Sequence, residues 1–191
     1  MSVDTIKAQI LQIPKIDASE ISNLVGNVEF NWLFNPSVVS FDEKDKFFQF
    51  VHPFVHDGNV IDDVGLLKIK PIIKFAEESL NIKFKMFRIK ANLLTRTYFE
   101  EIELKSLLHR DIHFEYDNIK NKKFVSMVYY VIDSDGDTIL LDDDKRNIKA
   151  SSSPIAGNLF VFDSRKWHRS TPPKINQRRV IINFILEVVD T

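Results

Sequence analysis

The sequence contains no cysteine and only five glycines among its 191 residues. Without cysteine, the chain has no disulfide bond, no thiolate metal site and no cysteine nucleophile. Histidine, aspartate and glutamate remain as its strong metal ligands. The 16 phenylalanines, set against five glycines, predict a core built from large side chains.

The chain also lacks an excess of positive or negative charge, and it lacks long hydrophobic runs. Lys+Arg 26 and Asp+Glu 27 give a formal net charge of -1. This balance argues against a dedicated nucleic-acid-binding protein, whose surface needs an excess of cations to neutralise phosphates. The two longest stretches without a charged residue, Ala150 to Phe162 and Phe30 to Phe41, are polar in part and too short to span a bilayer. The N-terminal sequence MSVDTIKAQILQIPK lacks an apolar signal core, so we expect an intracellular protein with no membrane association.

No repeat and no Pro/Gly/Ser-rich linker divides the chain, which predicts a single domain over residues 1–191. Residues 1–28 fit a strand or short helix. From Gly65 to Leu80, apolar residues recur at helical spacing and glutamates fill the opposite face. This pattern predicts an amphipathic helix that begins before or near Pro71.

After Asn81 the pattern changes to that of β-strands. The predicted strands cover residues 84–94, 102–116, 124–132, 138–141, 157–163 and 178–189. Short strands separated by turns predict an antiparallel barrel or sandwich, with the helix packed outside one sheet. We interpret Asp133 to Asp137 as a hairpin turn rather than a calcium loop, because the glutamate expected at the twelfth position is missing.

The segment from His109 to Glu115 carries the first candidate metal ligands. On a strand, side chains two residues apart point to the same side, so His109, Asp111, His113 and Glu115 would share one face. The His109/Asp111 pair supplies an imidazole nitrogen and a carboxylate oxygen to one ion. The pair His113/Glu115 is the alternative.

A third ligand and an anion-binding cation come later in the chain. His168 follows a short predicted strand and precedes a turn. Together with a His-x-Asp pair it would fill one face of an octahedron, the arrangement of non-haem Fe(II) oxygenases. Arg179 opens the last apolar strand, shares a face with Asn183, and could hold a dicarboxylate through paired hydrogen bonds. Arg178 falls on the other face.

These motifs resemble those of 2-oxoglutarate- and Fe(II)-dependent oxygenases of the prolyl-4-hydroxylase-like kind found in phages and bacteria. The resembling segments are FNWLFNPSV (30–38), FVHPFVHDG (50–58), RIKANLL (88–94), HRD (109–111), SMVYYVIDSDGDT (126–138), GNLFVFDS (157–164), WHRSTPP (167–173) and RRVIINF (178–184). The resemblance implies a mainly β fold with flanking helices, in which a double-stranded β-helix (a jelly-roll, cupin-like barrel) has helices against one sheet. Residues 1–83 would then supply N-terminal strands and a supporting helix, and residues 84–191 the jelly-roll core with the metal site.

The resemblance also implies a role for each motif residue. Fe(II) would be bound by His109, Asp111 and His168, with His113 and Glu115 as the alternative first pair. The cosubstrate 2-oxoglutarate would be bound by Arg179, Tyr130 and Asn183, with Arg178 and Tyr129 as alternatives. His52 and His56 are expected to be structural.

The function predicted from this resemblance is a dioxygenase that uses Fe(II), 2-oxoglutarate and O2 to hydroxylate a substrate, with release of succinate and CO2. Two alternatives are a non-catalytic jelly-roll binding module and a cupin-type metal enzyme that does not use 2-oxoglutarate. The sequence leaves the substrate open among a protein side chain, a nucleobase and a small metabolite, and it makes no prediction of oligomeric state.

Overall fold

The computed structural model describes residues 6–13, 15–39, 47–112 and 120–189, without the side chains of 15–18 and 102. Most of the described strands form one large antiparallel sheet. In spatial order these are β1 (Gln9–Gln12), β9 (Asn158–Asp163), β6 (Phe124–Tyr130), β11 (Arg178–Val189), β5 (Lys83–Thr95), β3 (Gln49–His56) and β2 (Leu33–Asn35), and β4 (Asn59–Val60) pairs with β3. A smaller sheet has the order β10 (His168–Ser170), β7 (Thr138–Leu141) and β8 (Ile148–Ser152). Two helices, α1 (Lys15–Gly26) and α2 (Asp63–Leu80), precede most of the strands.

The central strands of the large sheet are buried on both faces. On β6, Val125, Met127 and Tyr129 belong to the core shared with α1 and α2. The alternating residues Val128 and Tyr130 pack against the small sheet instead. Two covering layers therefore explain the uninterrupted apolar sequence of β6. Two facing antiparallel sheets with helices outside the larger one are the predicted jelly-roll architecture.

The predicted amphipathic helix is confirmed as α2. Its N-cap, Asp62, accepts a hydrogen bond from the Gly65 backbone N–H at 2.9 Å. The helix ends at Asn81, whose φ of 54° is left-handed. Pro71 lies inside the helix. Within the part of the chain that the structure describes, no helix is both long and apolar enough to cross a membrane.

The predicted strand over residues 102–116 is wrong in its first half. Glu101–Leu107 forms a 3-10 helix, and residues 113–119 lie outside the described residues. Leu104 and Leu107, three residues apart, are both buried against Phe47 and Phe99. That spacing is the repeat of a 3-10 helix, and the apolar residues that suggested alternation serve this contact instead.

Two further predictions need correction. The turn at Asp133 to Asp137 joins β6 to β7, which lie in different sheets, so it is not a hairpin. Gly136 takes a φ of 97° there. Strand β8 was not predicted, because its sequence IKASS is mostly exposed and has no apolar alternation.

The N-terminal residues share the large sheet with the later strands. Strand β1 pairs with β9, and β3 pairs with β5. The division of the chain at residue 83 stays a prediction. His52 has a structural environment, since its ring lies between the Asn31 carbonyl and the Asp62 carboxylate and stacks on Phe30. His56 is exposed beside Asp57.

Candidate metal centre and cosubstrate pocket

His109, Asp111 and His168 converge on one point between the two sheets. One ligand atom from each residue lies within 4.8 Å of the others. The His168 Nε2 atom is 3.5 Å from Asp111 Oδ2, and the His109 Nε2 atom is 4.0 Å from Asp111 Oδ1. Asp111 and His168 are only 9% and 4% exposed. Three converging donors of this kind can share a single cation.

Backbone hydrogen bonds hold these residues in place. His109 and His168 form an isolated antiparallel bridge. The Asp111 N–H donates to the Ser164 carbonyl at 3.1 Å, just after β9. The side chains of His109 and Asp111 therefore point toward the same place, although His109 does not belong to any of the strands β1 to β11. The predicted strand geometry was wrong, but the residues it selected do come together.

Each imidazole is oriented by a carbonyl group. His109 Nδ1 lies 2.8 Å from the Leu107 carbonyl, and His168 Nδ1 lies 3.0 Å from the Lys166 carbonyl. A carbonyl oxygen only accepts hydrogen bonds, so each Nδ1 carries the hydrogen. Each Nε2 then presents its lone pair to the common point. A backbone carbonyl in this position is the usual partner of a metal-binding histidine.

The protonation states suit a divalent cation. Burial alone would raise the pKa of Asp111, but His168, His109 and Arg88 together hold that pKa far below its usual range. Burial, with a further contribution from His168, lowers the pKa of His109 to about 4. At neutral pH, Asp111 is therefore a carboxylate and His109 a neutral imidazole, which are the forms that bind metal. The Ser126 hydroxyl donates to Asp111 Oδ2 at 2.6 Å and fixes the carboxylate.

A cavity of about 210 Å³ extends from these three residues to Arg179. Arg179 is 1% exposed and donates through Nη2 to the Thr138 hydroxyl at 2.8 Å. Its Nε has no hydrogen-bond partner among the described residues. Its guanidinium carbon lies 5.5 Å from the centre of the Tyr130 ring. A buried guanidinium with an unused donor fits the far carboxylate of a dicarboxylate ligand.

The predicted cosubstrate residues and their alternatives lie in different places in the structure. Asn183 lines the cavity together with Arg179. Tyr130 lies beside Arg179, whereas Tyr129 packs in the core on the opposite face of β6. Arg178 is exposed. His113 and Glu115, the alternative first ligand pair, lie outside the described residues.

Sequence reasoning missed six polar residues of the cavity, and three of them lie on β5. These are Arg88, Lys90 and Asn92. A signal for them is present in the segment RIKANLL, where every second residue from Arg88 to Asn92 is polar. On a strand inside a barrel, such alternation points polar side chains into the interior.

Comparison with known proteins agrees with this geometry. The family model described as the 2OG-Fe(II) oxygenase superfamily matches residues 103–187, which include all three candidate ligands and Arg179. This match makes residues 103–187, just under half of the chain, similar to that superfamily.

Solved structures of similar fold include several oxygenases. A Pseudomonas putida prolyl-4-hydroxylase is 17% identical with a TM-score of 0.57, over 94% of this chain and 91% of that chain. A Trichoplax adhaerens prolyl hydroxylase, solved with a hypoxia inducible factor peptide fragment, is 14% identical with a TM-score of 0.62, over 94% and 83%. HygX from Streptomyces hygroscopicus, solved with nickel and 2-oxoglutarate, is 8% identical with a TM-score of 0.61, over 96% and 84%. These likenesses confirm the double-stranded β-helix fold. No curated protein matches the chain in sequence.

Proposed function

We propose that the chain is a dioxygenase that uses Fe(II), 2-oxoglutarate and O2 to hydroxylate a substrate, with release of succinate and CO2. In this proposal His109, Asp111 and His168 hold Fe(II), and Arg179 holds the far carboxylate of 2-oxoglutarate. The observation that carries the proposal is that the His-Asp-His cluster and the buried Arg179 line the same cavity. The donor set fits Fe(II), which accepts two imidazoles and one carboxylate on one face. When bound, Fe(II), 2-oxoglutarate and O2 supply the oxidative decarboxylation that drives hydroxylation of a C–H bond.

The chain's own residues orient and shield the reactants. Arg179 stays cationic, although its burial lowers its pKa, because an arginine ordinarily titrates far above neutrality. The Tyr130 hydroxyl lies 2.9 Å from the Thr138 hydroxyl and 3.0 Å from the Ser152 carbonyl. This network fixes the acceptor to which Arg179 donates. Val128 and Ile181, both nearly inaccessible, line the same cavity and keep water from its walls.

For the substrate, we propose a protein side chain. The support is the likeness in fold to prolyl hydroxylases, one of them solved with a bound peptide. The intracellular location remains a prediction from the sequence. So does the organisation of the single domain into an N-terminal part, residues 1–83, and a jelly-roll core, residues 84–191.

Succinate release tests the ligand set. Purified protein supplied with Fe(II) and 2-oxoglutarate should release succinate even without its substrate, through uncoupled turnover. His168→Ala and His109→Ala should each abolish this release and metal binding. His56→Ala is the matched control, because His56 is exposed and lies outside the cavity. His113→Ala should retain turnover. Turnover that survives His168→Ala, or that is lost in His113→Ala but kept in His109→Ala, contradicts the proposed ligands.

A further inference from the structure

Strand β5 brings a second group of cations to the metal cavity. Arg88 and Lys90 both line it. Arg88 Nη2 lies 3.5 Å from Asp111 Oδ1. Lys90 sits opposite Asn183 in the pairing of β5 with β11. Among the described residues, the Lys90 ammonium has neither a hydrogen-bond acceptor nor an ion-pair partner. A cation of this kind points to a ligand that brings the missing charge.

The charge balance of the cavity supports this reading. Its described lining residues include four cations and one carboxylate. They are Arg88, Lys90, Arg110, Arg179 and Asp111. The two positive charges of Fe(II) and the two negative charges of 2-oxoglutarate cancel. Arg110 lies over the Trp167 ring and is left out of the balance. Among the other described lining residues, a surplus of two positive charges remains in the loaded site, and a neutral substrate would not reduce it.

The Lys90 charge is only partly compensated. Burial and the neighbouring Arg88 charge lower the pKa of Lys90 to about 8, although the Asp111 carboxylate acts in the opposite direction. The side chain is still mostly charged at neutral pH, in surroundings that disfavour the charge. A bound anion would remove this penalty, because a buried charge is stabilised by pairing.

Lys90 is too far along the strand to share the carboxylate assigned to Arg179. Arg179 pairs with Leu94, four residues beyond Lys90 on β5. At about 3.3 Å per residue, the backbone positions of Arg179 and Lys90 are therefore roughly 13 Å apart along the strand direction. Arg88 reaches Asp111, so Lys90 and Arg88 lie at the metal end of the cavity. That is the end where the substrate's reacting carbon must lie.

We propose that Lys90, supported by Arg88, forms a second anion-binding subsite that holds a carboxylate or phosphate group of the substrate next to the carbon that is hydroxylated. The proposal rests on the proposed function, since it assumes that Fe(II) and 2-oxoglutarate occupy the rest of the cavity. It narrows the substrate to an anionic one, such as a protein segment with an acidic or phosphorylated residue beside the reacting side chain.

Anion binding to the loaded but inert protein tests the subsite. The protein is saturated with Ni(II) and 2-oxoglutarate, and inorganic phosphate and acetate are titrated separately by calorimetry at constant ionic strength. The wild type should bind at least one of them saturably. Lys90→Met should weaken that binding by at least about tenfold, as expected for the loss of a charged hydrogen-bond partner. Lys90→Arg should restore it, and Lys85→Met, an exposed position on the same strand, should not alter it. Tighter phosphate binding supports a phosphorylated substrate, and tighter acetate binding supports a carboxylate.

Other outcomes overturn the proposal. Equal anion binding by the wild type and Lys90→Met, or no saturable anion binding by the wild type, removes the subsite while leaving the oxygenase intact. A loss of 2-oxoglutarate affinity in Lys90→Met as large as that in Arg179→Met assigns Lys90 to the cosubstrate instead. If the Ni(II)-loaded wild type does not bind 2-oxoglutarate at all, the proposed function fails together with the subsite. Thermal unfolding of Lys90→Met at or above the wild-type temperature verifies that the variant is folded.

Discussion

His109 and His168 each donate a backbone N–H to the other's carbonyl oxygen, with both N–O distances 2.9 Å. The same bridge sets their imidazole rings 4.3 Å apart. It joins the segment after the 3-10 helix to the first residue of β10, at the edge of the small sheet. Two candidate ligands from distant parts of the chain are thus positioned by backbone pairing. Their side chains need only the carbonyl contacts of Nδ1 to be aimed correctly.

The hydroxyl that holds Asp111 should tune metal affinity. Ser126→Ala removes the 2.6 Å hydrogen bond to Asp111 Oδ2 and frees the carboxylate to rotate. We expect a loss of about 10- to 100-fold in metal affinity, the usual effect of removing a group that orients a ligand. Titration with Ni(II) or Fe(II) under anaerobic conditions measures it. Ser151→Ala, at an exposed position of β8, is the control. Unchanged metal affinity in Ser126→Ala would show that Asp111 is oriented without this serine.

Much of the core was predictable because its strands have strong patterns. The continuous apolar runs of β6 and β11 correspond to strands buried by a layer on each face, and the alternation of β5 corresponds to the neighbouring strand of the same sheet. Arg179 could be predicted for a related reason. In an otherwise apolar strand, a charged residue that faces the interior needs a partner, and the alternation assigns Arg179 and Asn183 to one side and Arg178 to the other.

The parts that sequence reasoning missed depend on contacts that no local pattern encodes. The stretch 101–107 alternates enough to suggest a strand, yet Leu104 and Leu107 fold it into a 3-10 helix by packing on Phe47. Strand β8 forms because β7 offers an open edge, although its own sequence is polar. The alternation of Arg88 and Lys90 with apolar residues places them on one face of a strand without showing what covers that face. Only the position of the small sheet turns that face into a cavity wall.

Neighbouring arginines on β11 allow a matched test of cosubstrate binding. Arg179→Met should weaken 2-oxoglutarate binding by at least about 30-fold, equivalent to about 2 kcal/mol, as expected when one partner of a buried charge pair is removed. Arg178→Met should leave binding unchanged, because Arg178 is exposed on the other face. Calorimetry on Ni(II)-loaded protein measures both, and metal affinity should be retained in each variant. Equal losses in the two variants would contradict the assignment of Arg179.

Thr138 should matter for both stability and cosubstrate binding. It is fully buried and accepts the Arg179 hydrogen bond at 2.8 Å. Thr138→Val keeps the shape of the side chain but leaves the guanidinium and the Tyr130 hydroxyl without this partner. We expect a loss of about 1–3 kcal/mol in the free energy of unfolding, with weaker 2-oxoglutarate binding. Urea denaturation measures the first effect. Thr138→Ser, which retains the hydroxyl, should stay closer to the wild type, and a Thr138→Val protein as stable as the wild type would exclude this role.

The N-cap of α2 should make stability depend on pH. Burial raises the pKa of Asp62, but the hydrogen bond from the Gly65 N–H and the contact with His52 outweigh this and hold the pKa below its ordinary value of 3.8. A carboxyl group with a depressed pKa in the folded state stabilises the protein above its unfolded-state pKa and loses that effect as pH falls. Asp62→Ala should therefore cost about 1–2 kcal/mol at pH 7, and the difference from the wild type should shrink as pH falls below 3.8. Urea denaturation at several pH values measures the difference. Glu78→Ala, on the exposed face of the same helix, should show little effect at any pH. A difference that stays constant down to the acid limit would mean that Asp62 acts through packing and not through its charge.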